Sequence, residues 1–272
     1  MTQLGLGSYG VAWSIGVPGF SPPEYPMDAF DMLRFAGELG LKRVQYADNL
    51  PLDALTDDER ARLRDEAAGR GIAIEVGTRG ITLDHLHHYI DIAVYFGSPI
   101  LRVVVDTKTD HPSPQEVVTR VQAALPALKA AGITLAIENH DRFKARALAG
   151  VIEAIGDPAV GICLDTVNSF GALEGPDVVV AALGPHVVNL HVKEFVVRRL
   201  SHNMGFEVTG APAGQGMLDM PWLLGALHGC GRTFSAIVET WLSPLETMRA
   251  TIELEQDWVR QSVRYLRTLI PD

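Results

Sequence analysis

The stretch Ile133-Thr-Leu-Ala-Ile-Glu138 contains the pattern that decides the fold, an apolar run closed by one charged side chain. The pattern recurs three times further along the chain. The repeats are Val160-Gly-Ile-Cys-Leu-Asp165, Val187-Val-Asn-Leu-His191 and Phe234-Ser-Ala-Ile-Val-Glu239. Runs rich in Val, Ile and Leu are typical of parallel strands that are buried on both faces. Four such strands in succession are expected to bring their final side chains to one point.

Eight candidate strands, most of them apolar on consecutive positions, alternate with amphipathic stretches that have helical spacing. The predicted strands cover residues 4–8, 43–46, 72–76, 100–105, 133–138, 160–165, 187–191 and 234–239. The predicted helices cover residues 27–40, 57–71, 83–96, 114–131, 145–155, 177–183, 219–231 and 244–269. Eight strand-helix pairs predict one α/β domain over residues 1–272, folded as a single (β/α)8 TIM barrel.

An open doubly wound sheet is the alternative fold for this alternation. Such a sheet usually carries a glycine-rich phosphate-binding loop after its first strand. The first predicted strand instead runs into Ser8-Tyr-Gly-Val-Ala-Trp13, which lacks that spacing. In a barrel, active-site residues lie at the carboxyl ends of the strands, where the four charged residues are predicted. Residues 192–218, the longest stretch outside the pattern, are predicted to form a loop that covers the site.

The four residues at the strand ends have the chemistry of a metal site. Three carboxylates and one imidazole would repel one another unless a cation lay between them, and this set suits a hard or borderline divalent ion. Such an ion polarises a carbonyl group and acidifies the neighbouring C–H bond. Glu138 and Glu239 are then the natural acid/base pair on opposite sides of a substrate, whereas Asp165 and His191 serve only as ligands.

Short motifs surround these residues. They are Ile137-Glu-Asn-His-Asp-Arg142, Cys163-Leu-Asp-Thr166, Asn189-Leu-His-Val-Lys-Glu194, Gly214-Gln-Gly216 and Val238-Glu239. Together they resemble the xylose isomerase-like TIM-barrel superfamily, most of all its sugar phosphate isomerase/epimerase branch, over essentially the whole chain. The resemblance implies Mn²⁺ or Mg²⁺ as the metal, with Co²⁺ or Zn²⁺ as further options. It implies the metal ligands Glu138, Asp165, His191 and Glu239.

The resemblance also implies a small carbohydrate substrate and an isomerase or epimerase, in which two glutamates transfer a proton through an enediolate. Three positions depart from the ketose 3-epimerases. Asn139 replaces their proline, Asn168 replaces a second histidine, and Val197 replaces a substrate-binding arginine. The superfamily also includes metal-dependent decarboxylases, dehydratases and C-glycoside deglycosidases. A lyase that acts on an oxo-sugar or sugar acid is therefore the alternative function.

Two other functions belong to different classes. DNA-repair nucleases of this superfamily carry extra histidines for a three-zinc cluster and a basic groove, and the predicted strand ends lack that histidine set. A non-catalytic sugar-binding barrel would not need two intact glutamates at the site, so the pair argues against it.

Residues beside the ligands are candidates for catalysis and substrate binding. His140 and Lys193, each two residues beyond a predicted ligand, are candidates for donating a proton and for neutralising an oxyanion. A loop histidine and a surface lysine are the alternative interpretations. The substrate-binding candidates are Gln45 and Asn168 for sugar hydroxyls, Arg198 for a carboxylate or phosphate, and Trp13 and Trp241 for stacking on a sugar face.

The composition of the chain bears on its binding partners and its cellular location. A net charge of −10 without a Lys/Arg run argues against a nucleic acid partner. Cys163 and Cys230 have no metal-binding spacing, so we expect Cys163 to be a buried thiol and the protein to be cytoplasmic. The sequence shows no signal peptide and no apolar window of the roughly 18 residues that a membrane span needs. The sequence is compatible with a homo-oligomer, because the apolar faces of the predicted helices could form a dimer interface.

Overall fold

Eight parallel strands close into a barrel in the computed structural model, which describes residues 2–271. The described residues form ten strands, of which all but β8 and β9 belong to the barrel. They are β1 (Gln3–Gly7), β2 (Arg43–Tyr46), β3 (Ala73–Arg79), β4 (Ile100–Val104), β5 (Thr134–Glu138), β6 (Val160–Asp165), β7 (Val187–Val192), β8 (Glu194–Arg199), β9 (Phe206–Ala211) and β10 (Ser235–Val238). The barrel contains β1 to β7 in sequence order, and β10 pairs with both β7 and β1 to close it. The structure confirms the predicted (β/α)8 TIM barrel.

Helices between the strands form the outer layer. They are α1 (Ala12–Ile15), α2 (Ala29–Glu38), α3 (Asp57–Arg70), α4 (Leu83–Phe96), α5 (Pro114–Ala131), α6 (Ala145–Ile155), α7 (Pro176–Leu183), α8 (Met220–Gly229) and α9 (Met248–Leu266). Helix α3 begins with a capping box in which Thr56 and Glu59 satisfy free backbone N–H groups. Within residues 2–271, no helix has both the length and the apolar character that crossing a membrane requires.

The prediction of a plain loop over residues 192–218 is wrong, because β8 and β9 form an antiparallel hairpin there. Much of the hairpin is exposed, so its strands lack the continuous apolar runs that mark the barrel strands. At its base, the buried Glu194 carboxylate accepts hydrogen bonds from the backbone N–H groups of Gly214 (3.1 Å) and Leu218 (3.0 Å). These bonds fold the second half of the segment back onto the start of β8.

One irregularity in the sheet decides how β6 and β7 face each other. Between Ile162 and Cys163 the register with β7 shifts by one residue. Asp165 therefore lies beside His191, whereas an unshifted ladder would place it beside Leu190, whose side chain points to the opposite face. Bulges near active sites commonly re-aim a side chain in this way.

A buried carboxylate fastens the segment after β1 to the final helix. Glu255 of α9 is fully buried and accepts hydrogen bonds from the backbone N–H groups of Trp13 (2.8 Å) and Ser14 (2.9 Å). The Ser14 hydroxyl donates a third bond at 2.8 Å. Burial raises the pKa of Glu255 from its ordinary 4.5 to about 7, because desolvation outweighs the stabilisation that these bonds give the carboxylate.

This raised pKa predicts a pH-dependent stability. Between pH 4.5 and about 7 the folded protein holds a proton on Glu255 that the unfolded chain releases, so stability falls as pH rises through this window. Glu255→Gln lacks this component. The free energy of unfolding of the wild type relative to the variant should therefore decrease, by at most about 3 kcal/mol, between about pH 5 and about pH 8.

Urea unfolding at the two pH values measures this difference. Glu253→Gln, at an exposed position on the same helix, is the matched control and should show no such change. A difference between wild type and Glu255→Gln that stays constant with pH would contradict the assignment.

Candidate metal centre and active site

The four residues at the strand ends converge at the carboxyl end of the barrel. Glu138 and Asp165 end β5 and β6, His191 lies on β7, and Glu239 directly follows β10. All four are buried. The His191 Nδ1 atom lies 3.3 Å from Glu138 Oε2, 3.3 Å from Glu239 Oε1 and 3.9 Å from Asp165 Oδ2. Three carboxylate oxygens thus surround one imidazole nitrogen.

Several of these buried atoms have no hydrogen-bond partner among residues 2–271. They are Asp165 Oδ2, His191 Nδ1 and both carboxylate oxygens of Glu239. Leaving buried polar atoms unsatisfied is costly, so their concentration at one point calls for a group that is missing from the protein chain itself. Oxygen donors with one imidazole nitrogen fit a divalent cation, and the ligand atoms of Asp165, His191 and Glu239 lie within 4.8 Å of one another.

Lys193 brings positive charge to the same place. Its Nζ atom lies 2.7 Å from Asp165 Oδ2 and 3.0 Å from Glu239 Oε2, in ion-pair contact but without hydrogen-bond geometry. The ammonium therefore offsets charge and leaves the oxygen lone pairs available. Burial alone would lower the pKa of Lys193, but the charges of Asp165 and Glu239 outweigh it and raise that pKa, so the side chain is protonated.

The two glutamates have unequal environments. Arg102 Nε donates to Glu138 Oε2 at 2.5 Å, and Asn168 Nδ2 donates to Glu138 Oε1 at 2.7 Å. Burial would raise the pKa of Glu138, but the charge of Arg102, together with that of Lys193, lowers it to about 2. Glu239 makes no such bond within the described residues. Glu138 is thus fixed as an anion, while the carboxylate of Glu239 keeps free lone pairs.

Arg102 is the main residue that sequence reasoning missed. It is fully buried inside the barrel on β4, and its Nη1 atom also contacts Asp48 Oδ1 at 3.2 Å. Asp48 Oδ2 in turn accepts from Arg79 Nε at 2.9 Å and from the Tyr9 hydroxyl at 3.2 Å. Burial, and next the charge of Asp48, raise the pKa of Tyr9 to about 12. The signal available in the sequence was one arginine within the apolar run of residues 100–105.

Cys163 lies below the ligands and is buried, as predicted. It forms a second group of close ligand atoms with Glu138 and His191. Burial, and next the charge of Glu138, raise the pKa of the Cys163 thiol well above its ordinary value. The thiol donates to Asn189 Oδ1 at 3.0 Å. Cys163 therefore keeps its proton and lies outside the set of anionic ligands.

The structure places the other candidate residues in three kinds of surroundings. Asn168 lies at the site, in contact with Glu138 and 3.5 Å from Lys193 Nζ. His140 is partly exposed, and its Nδ1 atom lies 2.5 Å from Asp141 Oδ1. Arg198 is exposed on β8, where Glu207 of β9 is its register partner. Roles for His140 and Arg198 in the reaction stay predictions.

Three further candidates use their polar groups within the protein. Gln45 is fully buried, and its Oε1 atom accepts a hydrogen bond from His191 Nε2 at 2.6 Å. The Trp13 indole donates to the Leu242 carbonyl oxygen at 3.1 Å, and the Trp241 indole donates to the Glu194 carbonyl oxygen at 2.8 Å. In this structure Gln45 supports a ligand from below. Contact of these residues with a substrate stays a prediction.

Comparison with known proteins identifies the family. The family model for the xylose isomerase-like TIM barrel matches residues 33–269. The chain belongs to this family. A curated relative, the 3-oxo-isoapionate decarboxylase of Pectobacterium atrosepticum, is 34% identical over 270 residues, which cover 98% of this chain and 96% of that protein.

Solved structures share the barrel. D-psicose 3-epimerase in the presence of D-fructose superimposes with a TM-score of 0.73, at 14% identity over 100% of both chains. A xylose isomerase-like TIM barrel protein from Mycobacterium smegmatis in complex with magnesium has a TM-score of 0.66, at 18% identity over 87% of this chain and 88% of that one. Identities this low show the fold alone.

Alanine at residue 7 is expected to weaken metal binding. A Cβ atom on Gly7 would lie 2.9 Å from Glu239 Oε1 and 2.9 Å from Ile237 Cγ2, so the Glu239 carboxylate would have to move. We expect Gly7→Ala to lower the affinity for Mn²⁺ by roughly tenfold or more, measured by isothermal titration calorimetry.

Gly150→Ala is the matched control, because Gly150 is exposed on α6 and an added Cβ would have no described atom within 4 Å. The control should bind Mn²⁺ as the wild type does. An unchanged affinity in Gly7→Ala would show that Glu239 does not need its observed position to bind the ion.

Proposed function

We propose that this protein is a divalent-metal-dependent lyase that releases carbon dioxide from an oxo-sugar acid. The observation that carries the proposal is the unequal environment of the two glutamates. Epimerisation by a glutamate pair needs both carboxylates to give and take a proton. Glu138 is held by Arg102 and Asn168 through both of its oxygens, which suits a fixed ligand better than a mobile base.

The charges around the site suit an anionic substrate. Three carboxylates, from Glu138, Asp165 and Glu239, meet the ammonium of Lys193 and the guanidinium of Arg102. A bound divalent ion would add two positive charges and give this group an excess of positive charge. A negatively charged sugar acid would be attracted to such a site, whereas a neutral sugar would gain little.

The full-length relative supports the reaction class. It is named as a decarboxylase of a 3-oxo acid, and it aligns with nearly all of this chain. In a 3-oxo acid, the bond between the carboxylate and the neighbouring carbon breaks, and its electron pair moves towards the ketone oxygen. The carboxylate leaves as carbon dioxide, and the carbon that carried it then takes up a proton.

The residues of the chain have separate tasks in this reaction. The metal, when bound, supplies the positive charge that stabilises the negative charge developing on the ketone oxygen. Glu138, Asp165, His191 and Glu239 would hold it. Arg102 and Asn168 keep Glu138 in place. Lys193, an ammonium that lies between two of the ligands, would offset the negative charge that develops on the substrate.

Removal of the Lys193 ammonium should slow the reaction. With a 3-oxo sugar acid as substrate and Mn²⁺ present, we expect the wild type to release carbon dioxide in a coupled assay. Lys193→Met should lower kcat by roughly 100-fold or more, because the fixed positive charge that stabilises the developing negative charge is lost. Lys42→Met, at an exposed position just before β2 and thus at the opposite end of the barrel, is the control and should retain wild-type activity.

A sugar epimerase is the second candidate, and one observation favours it. Glu138 and Glu239 each lie 3.3 Å from the same imidazole nitrogen, so both carboxylates face one site. Incubation with candidate substrates in D₂O separates the two reactions. Decarboxylation yields carbon dioxide and a product with deuterium at the carbon that lost the carboxylate. Epimerisation yields deuterium next to the carbonyl without carbon dioxide, and that outcome would overturn the proposed lyase.

A further inference from the structure

A closed hydrogen-bond network lies inside the barrel beneath the metal ligands. At its centre is Glu75 of β3, which is fully buried. Glu75 Oε1 accepts from Arg43 Nη1 (2.9 Å) and Ser235 Oγ (2.6 Å). Glu75 Oε2 accepts from Gln45 Nε2 (2.9 Å) and Asn189 Nδ2 (3.1 Å). Two donors on each oxygen use the full accepting capacity of the carboxylate.

This network fixes the orientation of the Gln45 amide. Gln45 Nε2 donates to Glu75 Oε2 and also to Asn189 Oδ1 at 3.1 Å. A rotated amide would place the Gln45 oxygen against both of these acceptors, and each acceptor would lose one of its two donors. The oxygen of Gln45 must therefore face His191, where it can only accept a hydrogen bond.

The amide orientation in turn decides which nitrogen of His191 carries the proton. The bond of 2.6 Å between His191 Nε2 and Gln45 Oε1 requires the proton to be on Nε2. In the neutral ring the lone pair is then on His191 Nδ1, which lies 3.3 Å from a carboxylate oxygen of Glu138 and 3.3 Å from one of Glu239. An unprotonated ring nitrogen is the form that binds a metal ion.

We propose that Gln45 and Glu75 are positioning residues that hold His191 in its metal-binding tautomer. Glu75 acts through Gln45, since the carboxylate orients the amide and the amide orients the imidazole. Neither residue contacts the point where the four ligand atoms meet. Partners that fix a ligating histidine typically contribute 10–100-fold, as an order of magnitude, to metal affinity. The inference rests on the metal centre of the proposed function but is independent of the reaction catalysed there.

The alternative is that Gln45 and Glu75 only fill the barrel interior. Variants at residues 45 and 75 that remove or exchange the hydrogen-bond donor and acceptor distinguish the two interpretations. Gln45→Leu removes the acceptor for His191 at similar volume. Gln45→Glu places two carboxylates against each other, and Glu75→Gln places two amides there. The double variant Gln45→Glu/Glu75→Gln restores one donor facing one acceptor and keeps an acceptor for His191.

Co²⁺ binding to the purified, metal-depleted full chain is the measurement, by calorimetric titration and by the visible absorption spectrum of the bound ion. We expect Gln45→Leu and Glu75→Gln to weaken Co²⁺ binding by roughly 10-fold to 100-fold and to change the spectrum. We expect the double variant to bind more tightly than the two single exchanges predict when their effects are added. Urea unfolding of each variant reports any loss of stability separately.

Each outcome decides the inference. Weaker binding in the single variants, with recovery in the double variant, supports it. Wild-type affinity and spectrum in Gln45→Leu would overturn it and leave the metal centre intact. Additive losses in the double variant would also overturn it, because space filling has no donor or acceptor direction. If the wild type itself bound no Co²⁺, Mn²⁺ or Mg²⁺, both this inference and the proposed function would fail.

Discussion

The mutual repulsion of three buried carboxylates and an imidazole lone pair is the constraint on which this structure depends. Glu138, Asp165, His191 and Glu239 each present an acceptor to one point that water scarcely reaches. Such a group of like atoms is stable only when positive charge lies among or around them. Arg102 and Lys193 supply part of that charge, and the point where the four side chains meet suits a divalent ion.

The supporting side chains approach the cluster from different directions and therefore have different effects. Arg102 approaches Glu138 through the barrel interior and makes that carboxylate a fixed anion. Lys193 approaches Asp165 and Glu239 from the mouth of the barrel and holds a proton near the open side. Gln45 lies beneath His191 and selects its ring nitrogen. This division distinguishes the two glutamates, which look equivalent in the sequence, and it is the basis of the decarboxylation that we propose.

The geometry of the cluster depends on small features of the barrel backbone. A shift of one residue between β6 and β7 brings Asp165 beside His191. A Cβ atom at Gly7 would lie 2.9 Å from Glu239 Oε1, so the absence of a side chain at residue 7 makes room for that carboxylate. Register and close packing in a closed sheet thus place ligand atoms within ångströms of one another, although the ligands come from four different strands.

The sequence alone determined the eight-stranded barrel and singled out the four residues that meet at its carboxyl end, because both rest on local signals. Most barrel strands contain an apolar run, and each of the four residues stands at or near the end of one. Most predicted element limits lie within a few residues of the observed ones, while the exposed hairpin at residues 194–211 lacked such a signal. Only the tertiary structure decided the partners of the ligands. Arg102 is 36 residues from Glu138, and Gln45 is 146 residues from His191. Their contacts arise from strand register and barrel closure, which are properties of the whole chain and leave no local pattern in the sequence.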